Sequence, residues 1–309
     1  MGFSRFFRGI RTIISSVFIC ALFLLLSPSS ADAASSLVGY WKFDEGTGTS
    51  AADSSGNGNT GTLTNGPTWS STVPTTAFTN PYSVSFDGTD DYVAIGNSIT
   101  SLGTTAVTVS SWVRTNSIGA NQYILDASTD GGSGNGLSVR IRDNGTIRFW
   151  HYNAAANANS VGTLSANVWY HVAVTWDGTT NRIYINGSPD GTNTGDSNSL
   201  GSIYQIGHSN VLGGFFNGRL DDVRIYNRAL SATEITALAA GTHTTATWTG
   251  TTSTDYAVAT NWDTGAVPDP YTHVVIANTS NKPILSANES LASLTINASA
   301  ILDLSSYNW

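Results

Sequence analysis

From Leu37 to about Gly241 the chain repeats one phrase: a short run rich in β-branched and aromatic residues, a turn of Gly, Asn or Asp, and another short run. Runs of this length and spacing read as a β-sandwich. Two hairpins carry the pattern most clearly. LSVRIR and TIRFWHY flank Asp143-Asn144-Gly145, and WYHVAVTW and RIYING flank Asp177 to Asn181, with turn residues that accept a positive φ. Strands are expected near 38–43, 82–86, 92–95, 107–114, 123–126, 137–142, 146–152, 169–176, 182–185, 203–207 and 213–226. Composition agrees, because Glu occurs only at Glu45, Glu234 and Glu289 and Lys only at Lys42 and Lys282, beside abundant Gly, Thr, Ser and Asn. Such a chain makes few helices and many strands and turns.

The stretch Gly218 to Leu238, GRLDDVRIYNRALSATEITAL, closes the series. Val223 and Ile225 alternate with Asp222, Arg224 and Tyr226, as in a strand with one face on a core and the other toward water. Asn227 and Arg228 break the alternation. Ser231 with Glu234 three residues on forms a capping box, the serine oxygen taking a free helix N–H and the glutamate reaching back to the cap. A helix of one or two turns is expected at Ser231 to Leu238. Taken in order, FDGTDDYVAIG, SSWVRT, WYHVAVTWDG, IYINGSPDG and this closing segment resemble the laminin-G-like, concanavalin A-like jelly-roll domains of secreted proteins, over Leu37 to Leu238. The resemblance implies an all-β fold: an antiparallel two-sheet jelly-roll sandwich whose last strand lies beside its first.

The N-terminus carries Arg5, Arg8 and Arg11, the apolar run Thr12 to Leu26, and Ala31-Asp32-Ala33, the form of a secretory signal peptide cleaved before Ala34. The run is short of the ~20 residues that span a bilayer, and no longer apolar run follows. The single Cys20 lies inside it, so the mature chain has no disulfide and depends on a large core, a metal or both. A net charge of −8, more negative once the three arginines leave, makes nucleic acid and anionic membranes poor partners. The expected location is secreted or at the cell surface.

Composition shifts at His243-Thr244-Thr245. Beyond it, short β runs at 273–276, 291–296 and 301–304 resemble the first rungs of the right-handed β-helix of large bacterial surface proteins. Each rung buries its apolar face only against the next, so such a stack needs about three or more repeats and a cap. The expected division is therefore a signal peptide at 1–33, a jelly roll at 34–241 and a strand-rich segment of incomplete β-helix rungs at 242–309, within a longer protein.

Three places could carry chemistry. Asp53-Ser54-Ser55-Gly56-Asn57-Gly58-Asn59 is an oxygen-rich loop of the kind that curls carbonyls around Ca²⁺, but it has one carboxylate. The jelly-roll resemblance suggests that a second comes from Asp221 or Asp222 on the last strand. Asp53, Asn57 and Asn59 with Asp221 or Asp222 then form a candidate structural calcium site joining the two ends of the domain; the alternative is a polar turn and a solvated acidic pair. Asp87, Asp90 and Asp91 form a second acidic turn, where capping of backbone N–H groups is the simpler reading. In the first hairpin Leu137, Val139, Ile141, Ile147 and Phe149 face the core, which leaves Arg140, Arg142, Arg148, Trp150 and Tyr152 opposite. Such rings and guanidinium groups can stack on a sugar and bond its hydroxyls or an acidic substituent, or simply cover one another on a solvated sheet.

Nothing in the chain reads as catalytic. Related glucanases hold two glutamates on one strand as acid and nucleophile, whereas the three glutamates here are far apart and Glu234 caps a helix. The chain has no His-x-x-x-His pair, Gly-x-Ser-x-Gly elbow or phosphate loop. The expected function is a non-catalytic extracellular binding module for a glycan or other cell-surface ligand, with a structural calcium. The alternatives are a structural spacer of a large surface protein and an accessory module of a glycan-active enzyme.

Overall fold

Alternation of apolar and polar residues becomes two stacked antiparallel sheets. The computed structural model describes residues 36–99, 102, 106–127, 136–151, 157–194, 203–210, 213–242, 244–265, 267–268, 272–286 and 293–304. In chain order the elements are β1 (Leu37–Trp41), β2 (Ser50–Ala51), β3 (Gly61–Thr64), β4 (Thr68–Ser70), β5 (Ser83–Asp87), β6 (Tyr92–Ile99), β7 (Val107–Thr115), β8 (Gln122–Asp126), β9 (Leu137–Ile141), β10 (Thr146–His151), β11 (Ala158–Thr163), β12 (Tyr170–Trp176), β13 (Thr180–Ile185), β14 (Ser188–Thr194), β15 (Ile203–Ile206), β16 (Asn217–Tyr226), α1 (Ala232–Ala239), β17 (Thr244–Trp248), β18 (Thr272–Ile276) and β19 (Ser293–Ile296).

One sheet runs β14-β13-β12-β7-β16-β5-β4, with β1 also on β16; the other runs β11-β10-β9-β8-β15-β6-β3-β2. Between them lies one core, in which Val109, Val174, Ile183, Leu220 and Val223 of the first sheet share a cluster with Leu125, Val139, Ile147, Phe149 and Ile206 of the second. Both expected hairpins form. Gly145 takes φ 83° and Gly178 φ 93°, and Asp177 Oδ1 accepts the N–H groups of Thr179 and Thr180. The capping box at Ser231 and Glu234 starts α1 as expected, and Glu234 is further held by Arg228.

β16 decides the rest. One edge pairs with β7; the other pairs with β5 through Asn217–Leu220 and then with β1 through Val223–Tyr226. At the change of partner the register slips between Asp221 and Arg224, and Asp222 takes φ +53°. The extra residue of this bulge lets Leu220 and Val223, three apart, both enter the core, which sends Asp221 and Asp222 together to the opposite face.

That opposite face is not toward water, contrary to the alternation. Asp222, Arg224 and Tyr226 are all buried, because Leu37, Tyr40, Tyr184, Leu230 and residues Ile235 and Leu238 of α1 form a second apolar layer over this part of the sheet. Strands β2, β3, β4, β11, β14 and β17 were not expected; TWS, ANSVGT and SPDGTNT lack apolar alternation and take their conformation from the neighbours they pair with.

The C-terminal strands β17, β18 and β19 form a parallel sheet in which Trp248 pairs with Ile276 and Ile276 with Ile296. A second row of parallel bridges links Asp255, Ile284 and Asp303. Trp248, Tyr256, Trp262, Val274, Ile276 and Leu285 give this part its own apolar cluster. The expected strand at 301–304 is reduced to the single bridge at Asp303.

Candidate functional site

The five residues expected around calcium fall into two places. Asp53 lies on the free edge of β1, bridged to Trp41, whereas Asp221 and Asp222 lie on β16, across β1's other edge. Two strand spacings of about 4.8 Å each, roughly 10 Å in all, separate these backbones, with β1 between them. Asp53 is also fully engaged. Its Oδ1 accepts the N–H groups of Tyr40 at 3.0 Å and Ser55 at 2.9 Å, and its Oδ2 that of Asn59 at 2.8 Å. The amide of Asn57 donates to Leu37 O at 2.9 Å and that of Asn59 to Val38 O at 2.8 Å. N–H donors, not oxygens, converge on the Asp53 carboxylate, so the loop does not fit as a calcium cage. It is a clamp on the outer edge of β1.

Asp222 and Asp221 sit in a buried polar knot. Asp222 accepts from the Tyr40 hydroxyl and faces Arg224 Nη2 at 3.3 Å, which also donates to Tyr40 at 2.7 Å. Burial opposes the charge on Arg224, but Asp222 and Tyr40 outweigh it and hold the guanidinium above its usual range. Asp221 is fully buried; Oδ2 accepts from Asn80 at 2.8 Å, and Oδ1 has no hydrogen-bond partner. Burial first, then repulsion from Asp222, pushes its pKa up to about 9. Asp44, on the loop after β1, is raised to about 6 by burial and then by Asp222, and its Oδ1 is also without a partner. Asp44 was not a candidate from sequence, since WKFDEG carries no turn or ligand spacing that sets it apart.

The acidic turn behaves as a turn. Asp91 accepts from Asp87 N at 2.9 Å and Asp87 from Thr89 N at 2.7 Å, which brings Asp87, Asp90 and Asp91 together around backbone donors.

The arginine-aromatic face forms on the second sheet. Val139, Ile147 and Phe149 turn into the core, and Arg140 pairs opposite Arg148 while Trp150 lies opposite Ser138. Tyr123 on β8 extends the row: Arg140 Nη1 donates to its hydroxyl at 2.6 Å. The Arg140 guanidinium lies 5.5 Å from the Tyr123 ring and 5.4 Å from Trp150, and that of Arg148 5.5 Å from Trp150. Burial, followed by repulsion from Arg140 and Arg142, lowers the pKa of Arg148. Among the described residues none of these three arginines has an ion-pair partner, and the Nε atoms of Arg140 and Arg148 are buried without an acceptor. Tyr152 lies outside the described residues.

Past Tyr123 the aromatic row continues with residues the sequence did not mark. Gly214 packs against the Tyr123 ring, and next to it Phe215 stacks on His208 at 4.0 Å with Tyr92 5.7 Å beyond. Trp150, Tyr123, Phe215, His208 and Tyr92 come from five separate segments. No short motif connects them; only strand pairing does.

The two stacked antiparallel sheets define a jelly-roll sandwich with an aromatic outer face. Residues 87–236 match the family model of the concanavalin A-like lectin/glucanases superfamily, of laminin-G type. No curated protein matches the chain. Among solved structures, domain 4 of AbnA, an extracellular arabinanase from Geobacillus stearothermophilus in complex with arabinotriose, superimposes with a TM-score of 0.54 at 18% identity, covering 67% of this chain and 99% of that one. Trypanosoma rangeli sialidase with 2,3-difluorosialic acid gives a TM-score of 0.50 at 21% identity, over 66% of this chain and 32% of the sialidase. At these identities the likeness is one of fold.

Proposed function

We propose that the chain is a non-catalytic, extracellular carbohydrate-binding module whose ligand lies along the outer face of β8, β9 and β10. The observation that carries this reading is the ladder Tyr123–Arg140–Trp150–Arg148, in which two rings and two guanidinium groups alternate across three strands. A pyranose or furanose offers an apolar C–H face for a ring and hydroxyls for planar donors, and this ladder presents both at sheet spacing. Guanidinium groups left without carboxylates in an acidic chain also suit uronate or other acidic substituents. The matched superfamily model and the arabinotriose bound by the AbnA domain favour the same ligand class. The signal-peptide-like leader, outside the described residues, supports secretion, and no described helix is long and apolar enough to cross a membrane.

Glycan-array screening of the folded protein with neutral and acidic oligosaccharides tests the reading. Binding to at least one class should weaken at least tenfold in Trp150→Ala, about 1.4 kcal/mol of stacking and desolvation. A folded wild type that binds none, or full binding by Trp150→Ala, defeats it.

A specific observation favours a second role. The parallel, in-register β17–β18–β19 sheet and its second row of bridges support a reading of this segment as stacked rungs. On this reading the module caps or spaces a longer surface protein, and the glycan site addresses it.

A further inference from the structure

We infer that a cleft on the flank of the sandwich, where the end strand β11 of one sheet meets the end strand β14 of the other, is a second carbohydrate subsite, separate from the ladder and built for one uncharged sugar residue. Its volume is about 630 Å³, within the roughly 300–1,000 Å³ of small-molecule sites. Two cross-strand pairs line it, Tyr184 opposite Pro189 and Arg182 opposite Thr192. Between these pairs the register of β13 and β14 slips, and Asp190 is the extra residue. A bulge re-aims such a side chain. Here Asp190 reaches β11, where its Oδ1 accepts the N–H groups of Val161 at 2.6 Å and Gly162 at 2.7 Å. Glycines permit so close an approach. A Cβ on Gly191 would stand 2.3 Å from Asn159 O, and one on Gly162 2.8 Å from Asp190 Oδ2. Asn159 and Val161 complete the wall, and because Asn159 pairs opposite Arg148 the cleft begins one strand beyond the ladder.

Three polar groups of the cleft are not used by the fold. Tyr184 is only 4% exposed, yet among the described residues its hydroxyl makes no hydrogen bond. Asp190 Oδ2 accepts none, and Arg182 is engaged only through Nη1, by Asp177 at 2.6 Å, which leaves Nε and Nη2 to donate. An enclosed hydroxyl without a partner costs free energy that a bound hydroxyl recovers. Charge then sets the ligand class. One carboxylate and one guanidinium line the cleft with no ion pair between them, so they balance, unlike the arginines of the ladder. A carboxylate takes hydroxyl hydrogens, a guanidinium and a phenol give theirs to hydroxyl oxygens, and a sugar offers both on adjacent carbons. Its C–H face would rest on Pro189 and on Val161, an apolar side chain 86% exposed at the rim. An acidic sugar would meet Asp190 as a like charge.

The test is calorimetric titration of the full chain carrying Trp150→Ala, which takes the ladder out of the readout. Arabinotriose, xylotriose, cellotriose and galactobiose serve as uncharged probes and trigalacturonate as the acidic one. At least one uncharged probe should bind, and adding Asp190→Asn or Arg182→Gln should weaken it by about tenfold or more, the loss of one charge-assisted hydrogen bond. Asp190→Asn keeps a side-chain oxygen for the N–H groups of Val161 and Gly162. Val161→Asp, which puts a charge at the exposed rim, should weaken binding likewise and keeps the test open if Asp190→Asn fails to fold. No uncharged probe bound, or binding unchanged in all three variants, overturns the cleft. Trigalacturonate binding more tightly than every uncharged probe overturns the ligand class. The same titrations with Trp150 intact read the ladder separately, so failure of one site is distinguishable from failure of the other.

Discussion

Tyr40 is the residue on which the ends of the sandwich meet. Its backbone N–H holds Asp53, and its hydroxyl lies between Asp222 and Arg224. Removing two charges from water costs several kcal/mol per ion, so such a pair sets geometry more than it adds stability. It fixes β1 against the bulge. Nearby on the same sheet, His171 is buried with Nε2 2.9 Å from Ser110 Oγ and Nδ1 without a partner. Burial, then the Arg224 charge, depresses its pKa to about 3. The folded state therefore refuses a proton that the unfolded chain accepts near pH 6.5. The stability of the neutral form is complete above that pH and falls as pH drops toward the folded pKa, by about 1.4 kcal/mol per unit. Asp221 and Asp44, whose pKa values are raised, act in the opposite direction, so the readout is a difference. Between pH 6.5 and 4.5, urea unfolding should show wild type losing that increment per unit relative to His171→Gln. Parallel curves would mean that His171 is hydrated.

Among the elements, β16 shows what alternation can and cannot tell. Its strand character and the helix after it are written in GRLDDVRIYNRALSATEITAL, because the alternation and the capping box are local. The bulge is not, since it arises where two strands share one edge of β16 and must be spaced by a residue. Its first residues are equally constrained. Gly218 takes φ +151°, and a Cβ there would stand 2.2 Å from Arg114 O on β7. Gly218→Ala should cost more than about 2 kcal/mol in urea, through a lost or displaced β7–β16 ladder. Gly58→Ala, at φ +75° with open space around it, should cost about 1 kcal/mol, the left-handed penalty alone. Equal costs would show that contact with β7 is not what requires glycine at 218.

For the whole molecule, the central cluster between the two sheets and the separate cluster around Trp248 and Trp262 are the main feature. Helix α1 lies between them in sequence, its inner side on the jelly roll and its outer residues Thr233 and Ala237 lining a shallow cleft with Thr245 and Asp263. Because the large cluster is complete without β17–β19, a protein ended after Thr242 should melt within a few degrees of the full chain and keep any glycan binding. A drop beyond about 10 °C would make the C-terminal strands part of the sandwich's stability, since about 1 kcal/mol moves Tm by only about 2–4 °C in a domain of this size.

By itself the sequence determined the all-β class, most strands, both hairpins, the capped helix and the inward side of the β9–β10 hairpin, because each depends on residues adjacent along the chain. Tertiary structure decided what covers each face. It buried the side of β16 that alternation turns toward water, carried Tyr123, His208, Phe215 and Tyr92 into line with Trp150, and put Asp53 an edge away from the acids it was expected to join. The physical reason is the same each time. A side chain's period along a strand sets which face it takes, but only the pairing of distant strands sets what lies across from it.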